Sequence, residues 1–143
     1  MKDGASLNGK KIALEMIKKT YCRLKPSLLG GVGIFAIDDI PKGINPFASA
    51  PKPKWIRLNA RDLAGLDKER KRLVDDFYVK QKDGTIWVNK TGFYGMDMSF
   101  YINHSKNPNM VEKKGGDYFV TKRKIKKGEE LIVDYGTYDS EWK

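Results

Sequence analysis

Apolar and polar positions along this chain alternate over short stretches broken by glycine and proline. Tyr21 to Leu24 alternates in this way and predicts a short strand. Leu28-Leu29-Gly30-Gly31-Val32-Gly33 predicts a glycine-rich turn, and Ile34-Phe35-Ala36-Ile37 a buried strand after it. Asp38 to Gly43 ends that strand in a turn, with Pro41 and Gly43 at their usual places. Pro46, Pro51 and Pro53 make residues 44–53 an irregular loop. One helix is predicted between Asn59 and Tyr78, where Leu63, Leu66, Leu73, Val74 and Phe77 fall near one face. Gly65 weakens its first turn, and Asp67 is placed to cap its longer second half. Lys82-Asp83-Gly84-Thr85 predicts a hairpin joining Phe77-Tyr78-Val79 to Ile86-Trp87-Val88. Tyr118-Phe119-Val120 and Leu131-Ile132-Val133 predict two more strands. In the polar, lysine-rich residues 1–20, the alternation of Ile12, Leu14 and Met16 favours a strand, in an N-terminal extension that packs on the domain. The pattern as a whole predicts a mainly β domain of short strands with one mid-chain helix.

With 143 residues, 40% of them apolar and 11% aromatic, the chain suits one compact domain rather than a disordered tail. The longest charge-free apolar run, Leu28 to Ile37, is ten residues with three glycines. That is well short of the roughly 20 needed to span a bilayer. No hydrophobic signal core follows Met1-Lys2-Asp3. An intracellular protein without membrane attachment is expected, cytoplasmic, nuclear or delivered into a host cell. A lone cysteine, Cys22, excludes an internal disulfide and a thiolate zinc site, and a lone histidine, His104, excludes a multi-histidine centre. No metal is expected. The net charge of +10 suggests an acidic partner such as nucleic acid. The distribution is uneven, because Gly128 to Trp142 carries five acids and no lysine or arginine.

Three segments carry candidate chemistry. Gly31-Val32-Gly33 lets backbone approach a ligand closely, although alone it is an ordinary tight hairpin. It has neither the third glycine and helix of a dinucleotide site nor the Lys-Ser/Thr pair of a phosphate loop. Asn103-His104-Ser105, followed by Pro108-Asn109, reads as a polar turn after Phe100-Tyr101-Ile102. Ser105 lies too near His104 in sequence for a nucleophilic triad. Glu129-Glu130-Leu131 with Asp134-Tyr135-Gly136 places one tyrosine at the end of a strand.

In this order and spacing, the three segments resemble the motifs of the SET-domain family of protein lysine methyltransferases. Ile40-Pro41-Lys42-Gly43 and Ile125-Lys126-Lys127-Gly128 fit its linking phrases, and the likeness runs from about Tyr21 to Gly136. The resemblance implies a β-clip fold of small sheets with a knot-like C-terminal threading, over residues 21–136, between an extension (1–20) and a short tail (137–143). It implies S-adenosylmethionine as cofactor and a lysine of a protein or peptide as substrate, entering through a narrow channel. Carried over by position, Gly31, Val32, Gly33, Asn103, His104 and Tyr135 would contact the cofactor. Tyr135 would be the catalytic tyrosine, and Tyr78 a second channel tyrosine reached across a variable insert. Lys106 stands where many members have a zinc-binding cysteine, and the tail has none. A compact, zinc-free member is expected, with Tyr138 and Trp142 folding over the cofactor or channel. The acidic segment would draw in a basic substrate, histone-like or ribosomal, and the basic remainder would favour proximity to nucleic acid. The alternative is a catalytically silent SET module that binds peptide or nucleic acid.

Overall fold

The computed structural model describes residues 6–139. Its first element differs from expectation. Residues Leu7–Lys18 form a helix, α1, capped by the Ser6 hydroxyl, which accepts from the Gly9 N–H at 3.0 Å. Ala13, Leu14, Glu15, Met16 and the lysines are good helix formers, and together with the cap they outweigh a three-residue alternation. Nor does α1 bury itself. No side chain of α1 is buried, and Leu7, Ile12, Leu14 and Ile17 are each more than half exposed.

The main sheet comes from four segments distant in sequence. Strand β1 (Cys22–Pro26) pairs antiparallel with β2 (Val32–Ala36), Cys22 opposite Ala36 and Pro26 opposite Val32. The turn between them closes with the Ser27 N–H donating to the Gly31 carbonyl at 2.9 Å. Gly30 and Gly31 have φ of +113° and +59°, a region that favours glycine. The next elements are β3 (Trp55–Leu58), α2 (Ala60–Leu63), α3 (Lys68–Phe77) and β4 (Ile86–Asn89). After a 3-10 turn at Met98–Tyr101 come β5 (Asn103–His104), the hairpin β6 (Met110–Lys113) and β7 (Tyr118–Thr121), and β8 (Glu130–Val133). The four-stranded sheet has the order β1-β2-β8-β5. Strand β8 is antiparallel to β2, Ile34 opposite Leu131, and parallel to β5, Asn103 opposite Ile132 and His104 opposite Val133.

The core gathers where this sheet meets the chain's returning segments. Ile34, Ile40, Met110, Ile125, Leu131 and Val133 are buried almost completely. Each such side chain contributes about 1.5–3 kcal/mol. Period-2 alternation in β8 puts Leu131 and Val133 inward and leaves Glu130 and Ile132 half-buried. Thiol burial pushes Cys22 up to about 12, which keeps it a small apolar filler.

A second cluster forms under the insert, from Val74, Tyr78 and Ile86 with Leu63, Leu66, Val88, Phe93 and Phe100 against them. The helix expected from Asn59 to Tyr78 is divided into α2 and α3 at Gly65. Asn59 and Asp62 cap the first piece reciprocally, and Asp67 caps the second. The turn at Asp83-Gly84 forms, with the Gln81 N–H donating to the Thr85 carbonyl at 2.8 Å. Phe77 to Val79 is not the strand expected before it, because α3 runs through Phe77 and Tyr78 caps it. The partner of β4 is instead β3, Trp55 opposite Asn89. The mainly β class of small sheets with few helices holds.

Asn109 is 5% exposed and joins β8 to the chain beside it. Its Nδ2 donates to the Glu130 carbonyl and its Oδ1 accepts from the Ile132 N–H, both at 2.8 Å. We expect Asn109→Ala to strand these backbone groups and cost about 2–4 kcal/mol. Urea denaturation should show this against an exposed control, Asn107→Ala; equal midpoints would refute the clamp.

Candidate active site

The placement of β8 between β2 and β5 brings the three motif segments together. Asn103, on β5, donates through Nδ2 to the Val32 carbonyl at 3.1 Å and to Glu130 Oε2 at 2.8 Å. Glu130 Oε1 accepts from the Ser27 hydroxyl at 2.6 Å. Beneath them sits Gly33, where a Cβ would lie 2.3 Å from Glu130 Oε2 and 3.0 Å from Asn103 Nδ2. Its φ is ordinary; glycine is required here for space.

His104 and Tyr135 meet on the other side of β5. The Tyr135 N–H donates to His104 Nδ1 at 2.9 Å, and the two rings are 5.2 Å apart. In this geometry Nδ1 is the accepting nitrogen of the ring. Asp134 Oδ1 lies 3.6 Å from Nδ1. Its firmer contact is the Gly136 N–H, 2.9 Å away, which caps the short 3-10 turn Tyr135–Thr137. The Tyr135 hydroxyl donates to the carbonyl of buried Ile102. Burial, and secondarily the Glu130 charge, holds this phenol above its usual range, so it stays neutral through and beyond physiological pH.

A family model of the SET domain matches residues 31–136, well over half of the chain. The chain belongs to the SET-domain family. No curated protein sequence gives a significant match. Among solved structures, the Polycomb Repressive Complex 2 of Chaetomium thermophilum, a humanized mutant bound to the inhibitor GSK126, superposes with a TM-score of 0.56 at 26% identity. The match covers 83% of this chain and 15% of that one. The same complex in an autoinhibited conformation bound to S-adenosylmethionine gives 0.55 at 27% identity, over 85% of this chain and 16% of that one. A Plasmodium falciparum protein assigned as a histone methyltransferase gives 0.52 at 17% identity, over 87% and 98%. That last likeness concerns the fold alone. The SET domain here thus spans about one-sixth of the Polycomb chains it resembles.

S-adenosylmethionine is the cofactor of SET methyltransferases, and the residues of this SET domain fit it. Its adenine and amino-acid ends need hydrogen-bonding groups, and its sulfonium and ammonium are cations. The site offers carbonyls at Val32 and Ile102, the Asn103 amide and a neutral phenol. Gly31 leaves open space where a side chain would stand. Among the described residues, no cluster of His, Cys, Asp or Glu could hold a metal. None of their helices is long and apolar enough to cross a membrane.

Two aromatic positions fare differently. Tyr78 lies in the second cluster, its hydroxyl donating to the Gly92 carbonyl at 2.5 Å and its ring 5.4 Å from Phe93 and 6.1 Å from Phe100. Tyr135 packs against the first cluster, so the two phenols are held by separate cores. Tyr138 folds inward, 5.4 Å from Phe119 and 6.1 Å from Tyr135, against the face of Gly116. Trp142 lies outside the described residues. Two surface clefts of about 290 and 330 Å³ lie under the α2–α3 insert and beside the end of α1, and neither is lined by the motif residues.

Glu130 stands within the third motif segment, where sequence alone gives it no role. The signal was its alternation with the buried Leu131 and Val133, which sets it on the Ile132 face of β8. Glu129 instead pairs with Arg123 at 2.9 Å.

The raised phenols of Tyr135 and Tyr138 set an alkaline limit. Each holds its proton more tightly folded than unfolded, so its stabilisation is full below about pH 10 and lost as pH climbs past that value. Tyr135→Phe should flatten the fall in urea midpoint between about pH 9 and pH 11, and Tyr135→Phe with Tyr138→Phe should flatten it further. Unchanged slopes would contradict the burial.

Proposed function

We propose that this SET domain is an S-adenosylmethionine-dependent protein lysine N-methyltransferase acting on a basic protein, histone-like or ribosomal. The observation that carries the reading is the meeting of the glycine turn, Asn103, His104 and Tyr135 around one strand, β8. The S-adenosylmethionine bound in the Polycomb complex, 27% identical over 85% of this chain, supports the cofactor.

When bound, S-adenosylmethionine supplies a methyl group on a sulfonium that an amine can take directly. Gly31, Val32 and Gly33 offer backbone to its amino-acid end, and Asn103 and His104 hold its amino group and adenine. The protein's task is then to present a neutral lysine in line. With a reference pKa near 10.4, about one lysine in a thousand is neutral at neutral pH. A half-buried aromatic wall disfavours the ammonium form and raises that fraction. In this reading the Ile102 carbonyl and the Tyr135 hydroxyl would flank the meeting point of amine and methyl group, the phenol anchored by that carbonyl and neutral. Such a fixed pair orients the amine lone pair, and positioning of this kind lowers barriers by several kcal/mol. Tyr78, in the neighbouring aromatic cluster, would line the lysine's approach rather than touch the reacting atoms.

The acidic segment contributes less attraction than its count implies. Glu129 is paired with Arg123, and Asp134 lies 3.6 Å from Lys106. Tyr138, packed against Phe119 and Tyr135, is proposed to help close the site.

The test is incubation with a labelled methyl donor and a panel of histones and ribosomal proteins, with modified lysines located by mass spectrometry. Tyr135→Phe should keep the fold and lower turnover by about 100-fold or more. Near-normal turnover would remove the tyrosine from its role, and cofactor binding with no transfer would leave a silent module. A chain ending at Thr137 should bind the cofactor about tenfold more weakly if the tail closes the site; unchanged affinity would discard the lid.

A further inference from the structure

One side chain of the third motif segment reaches the other two and has no part in the transfer step. Glu130 receives the Ser27 hydroxyl on one carboxylate oxygen and the Asn103 amide on the other, and it fills the space that Gly33 leaves open. The consequence lies in Asn103. A carboxamide has two ends of nearly equal size, and its orientation is set by what surrounds it. Here the nitrogen faces two groups that can only accept, the Val32 carbonyl and the Glu130 carboxylate. Turned over, the amide would press its oxygen against both and lose both hydrogen bonds. The side chain is thus held one way round. Its Oδ1 receives no hydrogen bond from any described residue and is presented as an acceptor.

We infer that Glu130 is a positioning residue for cofactor binding: through Nδ2 it locks Asn103 so that Oδ1 meets the α-ammonium group of S-adenosylmethionine. This rests on the proposed function, from which the ligand is taken. It also changes the reading of Gly33. The missing Cβ makes room for a carboxylate of the protein, so the glycine serves the ligand at one remove.

Calorimetric titration of the full chain with S-adenosylmethionine and with 5′-methylthioadenosine, which lacks the ammonium, separates the possibilities. Glu130→Ala should weaken S-adenosylmethionine by about tenfold or more and change 5′-methylthioadenosine less than about twofold. Glu130→Gln retains an oxygen that can accept from Nδ2 and should bind within about threefold of the parent chain. Because Glu130 acts through Asn103, the double variant Glu130→Ala with Asn103→Ala should bind no more weakly than Asn103→Ala. Parent-like affinity in Glu130→Ala overturns the inference. So does a Gln variant as weak as Ala, which would mean direct charge pairing, or additive losses in the double variant. Where Glu130→Ala does not fold, Glu130→Met, close in size, takes its place: it removes the acceptor for Nδ2 and should weaken S-adenosylmethionine alone, and parent-like binding overturns the inference. A parent chain that binds neither ligand sinks the proposed function and this inference with it. A parent that binds S-adenosylmethionine, beside an indifferent Glu130→Ala, sinks this inference alone.

Discussion

The candidate site depends on β8 having two unlike neighbours. On one side it runs antiparallel to β2, which brings the glycine turn; on the other it runs parallel to β5, which brings Asn103 and His104. The parallel contact is only two residues long, and such pairs are weakly stable by themselves. Asn109 reinforces it, pairing its buried amide with both polar groups of the β8 backbone, while the Ser105 N–H reaches the Val133 carbonyl at 3.0 Å. A buried amide with both ends satisfied specifies register, because a one-residue slip would leave it unpaired.

This arrangement also governs the electrostatics. The chain carries +10, yet the side chains that meet at Asn103 and Tyr135 are acceptors or neutral: a carboxylate, an imidazole whose Nδ1 accepts and a phenol that resists ionisation, with Lys106 held outside them on Asp134. The basic surplus sits elsewhere, much of it on exposed lysines whose ion pairs contribute little. A site that accepts hydrogen bonds and tolerates cations is what the proposed chemistry calls for.

Much of the fold could be read before any coordinates. The β1–β2 hairpin, the weak first turn before Gly65, the Asp67 cap and strands at 118–120 and 131–133 follow from local signals that tertiary context left standing. The misses share a cause. Trp55–Leu58 is a strand because β4 lies beside it, and Phe77 to Val79 is not one because α3 uses its first residue. Residues 7–18 are helical because a cap and good helix formers compete with no neighbouring sheet edge. Asn103–His104 becomes a strand only through contact with β8.

The sequence by itself determined the family, the three motif segments and the absence of cysteine or histidine sets for a metal, because these depend on residue identity and order alone. Which side chains touch was decided by the tertiary structure. Strand pairing put Glu130 against Asn103 and Gly33, set the Tyr135 hydroxyl on the Ile102 carbonyl, and held Tyr78 in a separate aromatic cluster. The physical reason is range: propensity and spacing act over a few residues, whereas these contacts join segments up to 103 residues apart and exist only once the core has closed.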